Sequence, residues 1–127
     1  MKKIKILLAE DDSNLGNLLQ NYLSAKNYET RLFVNGKLAL EAFANESFDL
    51  CILDIMMPEM DGFQTLKNIR SNTHLSAIPI YAVTAKAMVG DKEIILKHGF
   101  NDYIPKPVSS SIISSKIAQL FSKIKSS

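Results

Sequence analysis

The chain has 127 residues, enough for one domain with a real core and too few to leave much room for a second. Charged residues make up 22% and the formal net charge is +2, but the lysines are scattered and interrupted by acids, so charge alone points to neither nucleic acid nor a membrane surface. The single cysteine, Cys51, excludes an intrachain disulfide, and its place in the apolar stretch CILD reads as a buried core thiol. The apolar runs are too short to span a bilayer. The basic start MKKIKILLAED turns acidic after a handful of apolar residues and carries no cleavage site. A cytoplasmic protein with no membrane contact is the expectation.

In chain order, a strand over Ile4–Ala9 precedes a helix in which Leu15, Leu18, Leu19, Tyr22 and Leu23 recur at helical spacing, with Ser13 or Asn14 as its N-cap. A strand over Glu29–Val34 leads to a helix from about Gly36 to Asn45, with Leu38, Ala39, Ala42 and Phe43 facing inward. A third strand, Asp49–Leu53, runs through a loop restricted by Pro58 to a helix that starts after Asp61-Gly62 and turns Phe63, Leu66 and Ile69 to one side. Gly62 reads as a backbone turn device. The fourth strand, Ile78–Val83, precedes the weakest helix, about Ala87–His98, where Gly90 interrupts the first turn and the apolar stripe is ragged; this helix is expected to be the least stable. A short fifth strand, Asp102–Ile104, leads to a last helix with Ile113, Ile117, Leu120 and Ile124 on one face. Short connections between alternating strands and helices imply a single α/β domain, a parallel sheet covered by helices on both faces.

In such sheets function collects at the carboxyl ends of the strands, beside the switch point of the topology. Glu10-Asp11-Asp12 follows the first strand, Asp54 the third, Thr84 the fourth and Lys106-Pro107 the fifth. Acids, a hydroxyl and a lysine would converge on one pocket. Each suits phosphoryl transfer. A carboxylate can attack and become an acyl phosphate, and crowded carboxylates repel unless a cation joins them. Mg²⁺ takes one or two carboxylates together with water and phosphate oxygens, while a lysine and a hydroxyl stabilise the remaining oxygens. Asp12 by itself is equally well a helix cap. His74 and His98 have no partner at metal spacing and read as surface residues.

Across about residues 4–124 the chain resembles the receiver domain of bacterial two-component response regulators, chemotaxis-receiver-like. LLAEDDSN is similar to that family's acidic turn, LDIMMPEMDG to its phosphoacceptor segment, AVTAKA to its switch-threonine turn and DYIPKP to its Tyr–x–x–Lys–Pro signature. The separations of 43, 30 and 22 residues between Asp11, Asp54, Thr84 and Lys106 fit it too. The resemblance implies a flavodoxin-like five-stranded parallel sheet of order 2-1-3-4-5 and one receiver domain over residues 1–127. It implies Asp54 as phosphoacceptor and Mg²⁺ ligand, Asp11 as a direct ligand, Glu10 as a water-mediated one and the Met56 carbonyl as the third protein ligand. Thr84 and Lys106 would contact the phosphoryl group, the Lys106-Pro107 bond would be cis, and Tyr103 would be the aromatic switch residue that responds to Thr84.

The partners implied are a histidine kinase or histidine phosphotransfer protein as donor, and a downstream effector on the face of the fourth helix, fifth strand and fifth helix. A homodimer through that face is suggested by Asp102 before Tyr103, although the last helix lacks the arginines usual there. The domain itself would not bind nucleic acid and would not be an enzyme beyond its own phosphorylation and autodephosphorylation. Two other classes fit less well. A haloacid-dehalogenase-like phosphohydrolase would carry an acid two residues after the nucleophile, where this chain has Met56. A flavodoxin would carry a hydroxyl- and glycine-rich phosphate loop where this chain has three acids. Within the family, a phosphorelay intermediate or a receiver of a hybrid kinase is the alternative; the Met1 start favours a free-standing receiver or part of a longer regulator.

Overall fold

The computed structural model describes residues 3–57, 60–72, 75–85 and 89–126, with backbone only at 89 and 123–126. Five strands, β1 (Lys5–Ala9), β2 (Glu29–Phe33), β3 (Leu50–Asp54), β4 (Ile80–Thr84) and β5 (Asp102–Pro105), alternate with α1 (Ser13–Ala25), α2 (Gly36–Ala42), α3 (Gly62–Arg70), α4 (Val89–Lys97) and α5 (Ser110–Ser126). All strand pairs are parallel and the order is β2-β1-β3-β4-β5, the flavodoxin-like arrangement anticipated from the resemblance.

The central strands are apolar along their length because both faces are covered. Leu7, Ala9, Cys51, Leu53, Ile80 and Ala82 join Ala39 of α2, Leu66 and Ile69 of α3 and Ile95 of α4 in one core layer. Ile6, Leu8, Ile52, Val83 and Ile104 join Leu19 and Leu23 of α1 and Ile113 and Ile117 of α5 in the other. Cys51 is fully buried, and that burial pushes its thiol pKa up, so it is an inert part of the core. α4 is the leanest helix: Ile95 is buried, while Ile94 is 52% and Leu96 39% exposed.

Several boundaries differ from the sequence reading. Asp54 and Thr84 are the last residues of β3 and β4 rather than the first beyond them, because each still pairs along the sheet. The N-cap of α1 is Asp12, as its alternative reading as a helix cap allowed, rather than Ser13 or Asn14: its carboxylate accepts the amides of Asn14 and Leu15. Leu18 and Leu38 face solvent. On α2 the inward face is Gly36, Ala39 and Ala42, small residues that let a two-turn helix lie close, and the helix ends at Ala42. Pro58, His74 and Ala87 lie outside the described residues, as does the side chain of Ile124. His98 is exposed at the end of α4.

One backbone contact controls where Asp54 ends up. A Cβ on Gly62 would stand 2.7 Å from the Asp54 carbonyl oxygen and 2.7 Å from the Ile55 Cα. The Gly62 N–H donates to the Ile55 carbonyl at 2.9 Å, so the first turn of α3 lies directly on the end of β3. Those neighbours are backbone and cannot rotate aside. Gly62→Ala should therefore destabilise the domain by about 2 kcal/mol. Gly90→Ala, where an added Cβ meets nothing within 4 Å, should stabilise it by about 0.5 kcal/mol. Urea unfolding of both variants measures the contrast.

Candidate functional site

The sheet topology brings three strand ends side by side. Glu10 follows β1, and its N–H donates to the Phe33 carbonyl at 2.9 Å, which keeps it in line with the sheet. Asp54 closes β3 next to it. Beyond β5, the Lys106 N–H donates to the Thr84 carbonyl at 2.8 Å and so aligns the lysine with the end of β4. The Lys106-Pro107 bond is cis.

The side chains meet above this edge. The Lys106 ammonium donates to Asp54 Oδ2 at 2.9 Å and lies 3.5 Å from Glu10 Oε1. Asp54 Oδ1 accepts the Met56 N–H at 3.1 Å, and Glu10 Oε2 accepts the Asp12 N–H at 3.1 Å. Oxygens of Glu10, Asp11 and Asp54 all lie within 4.8 Å of one another. Glu10, Asp54 and Thr84 are buried, whereas Asp11 and Met56 are exposed. A depression of about 460 Å³ lined by Asp11, Met56, Met57 and Asp61 opens beside them. A larger cleft, about 730 Å³, runs along α3 past Phe63, Lys67, Arg70 and His98, but it gathers no comparable set of acids.

Electrostatics make this an unsettled place. Burial pushes the Glu10 carboxyl up to about 8, and the Asp54 carboxyl beside it adds to the rise, against the pull of the Asp12 N–H and Lys106. Burial by itself would lower the Lys106 ammonium, but its hydrogen bond and charge contact with Asp54, and then its charge contact with Glu10, hold it above its ordinary value. Glu10 Oε1 is buried yet accepts no hydrogen bond. An all-oxygen, anionic group with a spare buried lone pair fits a hard divalent cation such as Mg²⁺, with Glu10, Asp11 and Asp54 as the residues able to hold it.

Of the residues singled out in the sequence, Glu10, Asp11, Asp54 and Lys106 thus come together, with Met56 and Thr84 at the adjoining chain ends. Tyr103 stands apart on β5, its ring between two ammoniums: Lys92 of α4 at 5.6 Å and Lys116 of α5 at 5.1 Å from the ring centroid. Asp61 was missed. Its carboxylate accepts the Gln64 N–H at 2.9 Å as N-cap of α3, and it lines the depression. The signal was there, since an Asp directly before an amphipathic run is a helix start.

The sequence matches the family described as "Response regulator receiver domain" over residues 6–118. It is 39% identical over 124 residues to the transcriptional regulatory protein RprY of Bacteroides fragilis, covering 98% of this chain and 52% of that protein. The chain spans about half the length of the curated relatives it matches. Among solved structures it is similar to the receiver domain of a Francisella response regulator (TM-score 0.88, 26% identity, 96% of this chain and 99% of that one). It is also similar to the receiver domain of the Pseudomonas aeruginosa sensor histidine kinase PA1611, determined with a magnesium ion in its active-site cleft (TM-score 0.84, 28% identity, 93% of this chain and 97% of that one).

The raised Glu10 carboxyl has a signature in stability. Between the ordinary glutamate value and about 8 the folded state keeps a proton that the unfolded state has lost. Stability from this group is therefore full below that window and falls as pH rises through it. Each pKa unit is worth roughly 1.4 kcal/mol. In chelator, denaturant unfolding should show falling stability from about pH 5 to pH 8, and Glu10→Gln should flatten the slope and be the more stable protein at the upper end. An unchanged slope in that variant would remove Glu10 as the cause.

Proposed function

This chain belongs to the response regulator receiver family, and on that premise we propose that Asp54 accepts a phosphoryl group from a partner histidine kinase or histidine phosphotransfer protein, with Mg²⁺, and that the domain then switches conformation to signal. The observation that carries the reading is the Lys106 ammonium 2.9 Å from Asp54 Oδ2 in the midst of three acids.

The chemistry follows from that arrangement. Met56 N–H and Lys106 fix the two oxygens of Asp54 at the strand end, so little reorganisation stands between the carboxylate and an incoming phosphorus. A carboxylate oxygen attacks, the O–P bond forms, and the bond from phosphorus to the donor imidazole nitrogen breaks with its electron pair leaving on the imidazole. Glu10, Asp11, Asp54 and the Met56 carbonyl would hold Mg²⁺, whose charge offsets the acids and the phosphoryl oxygens. Lys106 exchanges its carboxylate partner for a phosphoryl oxygen, and the Thr84 hydroxyl donates to another. Met56, 70% exposed two residues beyond the nucleophile, offers no acid to activate water, which supports a phosphoacceptor rather than a hydrolase.

Output would use the face of α4, β5 and α5. The lysines that flank Tyr103 come from α4 and α5, so the ring is where a change at Thr84 would be felt by both helices. Lean packing of α4 makes its displacement inexpensive. We read residues 1–127 as one receiver domain, working in the cytoplasm where a histidine kinase would deliver the phosphoryl group. Among the described residues no helix is long and apolar enough to cross a membrane. The likeness to a transcriptional regulator supports an output on gene expression through further residues or a partner, with a phosphorelay or hybrid-kinase receiver as the alternative.

Supplied with Mg²⁺ and acetyl phosphate, the protein should gain one phosphoryl group by intact mass, and Asp54→Asn should gain none; equal labelling of the two would sink the assignment. Beryllofluoride with Mg²⁺ should change amide exchange in α4 and at Tyr103 as well as at Glu10–Asp12 and Asp54. Changes confined to the acidic pocket would leave a phosphoacceptor without this switch and favour the relay.

A further inference from the structure

Asp12 completes the acidic run, yet it is not among the three acids whose oxygens gather at the strand ends. Its Oδ1 accepts the N–H groups of Asn14 at 3.0 Å and Leu15 at 3.2 Å, and it caps α1 with its own backbone extended at φ −78° and ψ 106°. That conformation directs the Asp12 N–H to Glu10 Oε2 at 3.1 Å. Glu10 is then tied by one oxygen, while the other, Oε1, is buried with no hydrogen-bond partner and lies 3.5 Å from the Lys106 ammonium. One residue thus joins two structures: the start of α1 and the orientation of the buried acid beside Asp54.

We propose that Asp12 is a positioning residue for the cation site, acting as an N-cap that aims its backbone N–H at Glu10 and leaves Glu10 Oε1 free to face the metal. This inference rests on the Mg²⁺ reading above. It assigns Asp12 no charge role and no place in the coordination shell. Asn and Ser cap helices about as well as Asp, whereas Ala caps poorly. Both retain an oxygen acceptor at that position and remove the negative charge. Losing the cap releases the Asp12 backbone from its extended conformation, and Glu10 loses the amide that orients it.

The test compares Asp12→Ala, Asp12→Asn and Asp12→Ser in the full chain, each checked as folded by circular dichroism at the working temperature. Calorimetric titration with Mg²⁺ should give three- to ten-fold weaker binding for Asp12→Ala and binding within two-fold of the parent for Asp12→Asn and Asp12→Ser. Asp11→Ala, which removes a ligand, should lose more than any of them. Asp12→Asn as weak as Asp12→Ala would mean that the charge matters and overturns the proposal; so would Asp12→Ala equal to the parent. A parent chain that does not bind Mg²⁺ would defeat the metal reading, and a second measurement separates the two failures. In the metal-free protein the carbon-13 resonance of the Glu10 side-chain carboxyl should shift in Asp12→Ala and stay in place in Asp12→Asn. An unmoved resonance in Asp12→Ala would overturn the positioning role whatever the metal result.

Discussion

Two buried carboxylates, Glu10 and Asp54, share one ammonium, Lys106. Buried like charges repel, and one cation with a long flexible stem does not balance two of them, still less with Asp11 at the rim. Part of the imbalance shows as the raised Glu10 carboxyl, and part is taken up by peptide N–H groups from Met56 and Asp12. What is left is an anionic pocket with one unmatched oxygen. An anionic, all-oxygen pocket of that kind suits a hard divalent cation.

A parallel sheet of this order makes such a pocket from these residues. β1 and β3 are neighbours, so Glu10 and Asp54 end side by side; β4 and β5 follow, so Thr84 and Lys106 arrive from the other flank. The apolar strands cover the energetic cost of the polar ends, since both faces of β1, β3 and β4 are sealed by helices. Gly62 brings α3 onto the backbone of β3, and capping by Asp12, Asn35 and Asp61 sets where α1, α2 and α3 begin. Backbone contact and helix caps therefore brace the first three helices against the strands that carry Glu10 and Asp54.

The other side is built differently. At the end of the sheet remote from the pocket, the Arg70 guanidinium donates to the carbonyls of Ser76, Ile78 and Gly99 and, at 2.7 Å, to Asn101 Oδ1. Asn101 in turn pairs with Ile80 through both backbone N–H and side chain. This knot anchors the turn that leaves α4, while among its described side chains α4 is attached mainly through Ile95. Lys92 and Lys116 approach the Tyr103 ring from two helices, and Lys116 also donates to Asp102 at 2.8 Å. A helix tethered at one end and sparsely packed elsewhere can shift at low cost.

The alternation of apolar runs with 3.6-residue stripes was enough to define the class of fold, because strands covered on both faces and helices covered on one leave different periodicities. The acids after β1, the lone Asp at the end of β3 and the lysine before a proline were equally plain, since residues at strand ends are not masked by the core pattern. Helix caps and inward faces were less legible. Ser13, Asn14 and Asp12 are all acceptable caps by type, and the choice fell to Asp12 because its amide also has Glu10 to bond. Leu38 and Leu18 suit a core stripe by type, but both are turned to solvent: α2 approaches its neighbours closely through Gly36, Ala39 and Ala42, with Leu40 and Phe43 packed beside them, and α1 buries Gly16, Leu19 and Leu23 instead of Leu18. Which residues make up the candidate site was written locally. How far Glu10 is buried, which of its oxygens goes unmatched, and which ammoniums flank Tyr103 depend on chain segments tens of residues apart, and only the packed structure sets those distances.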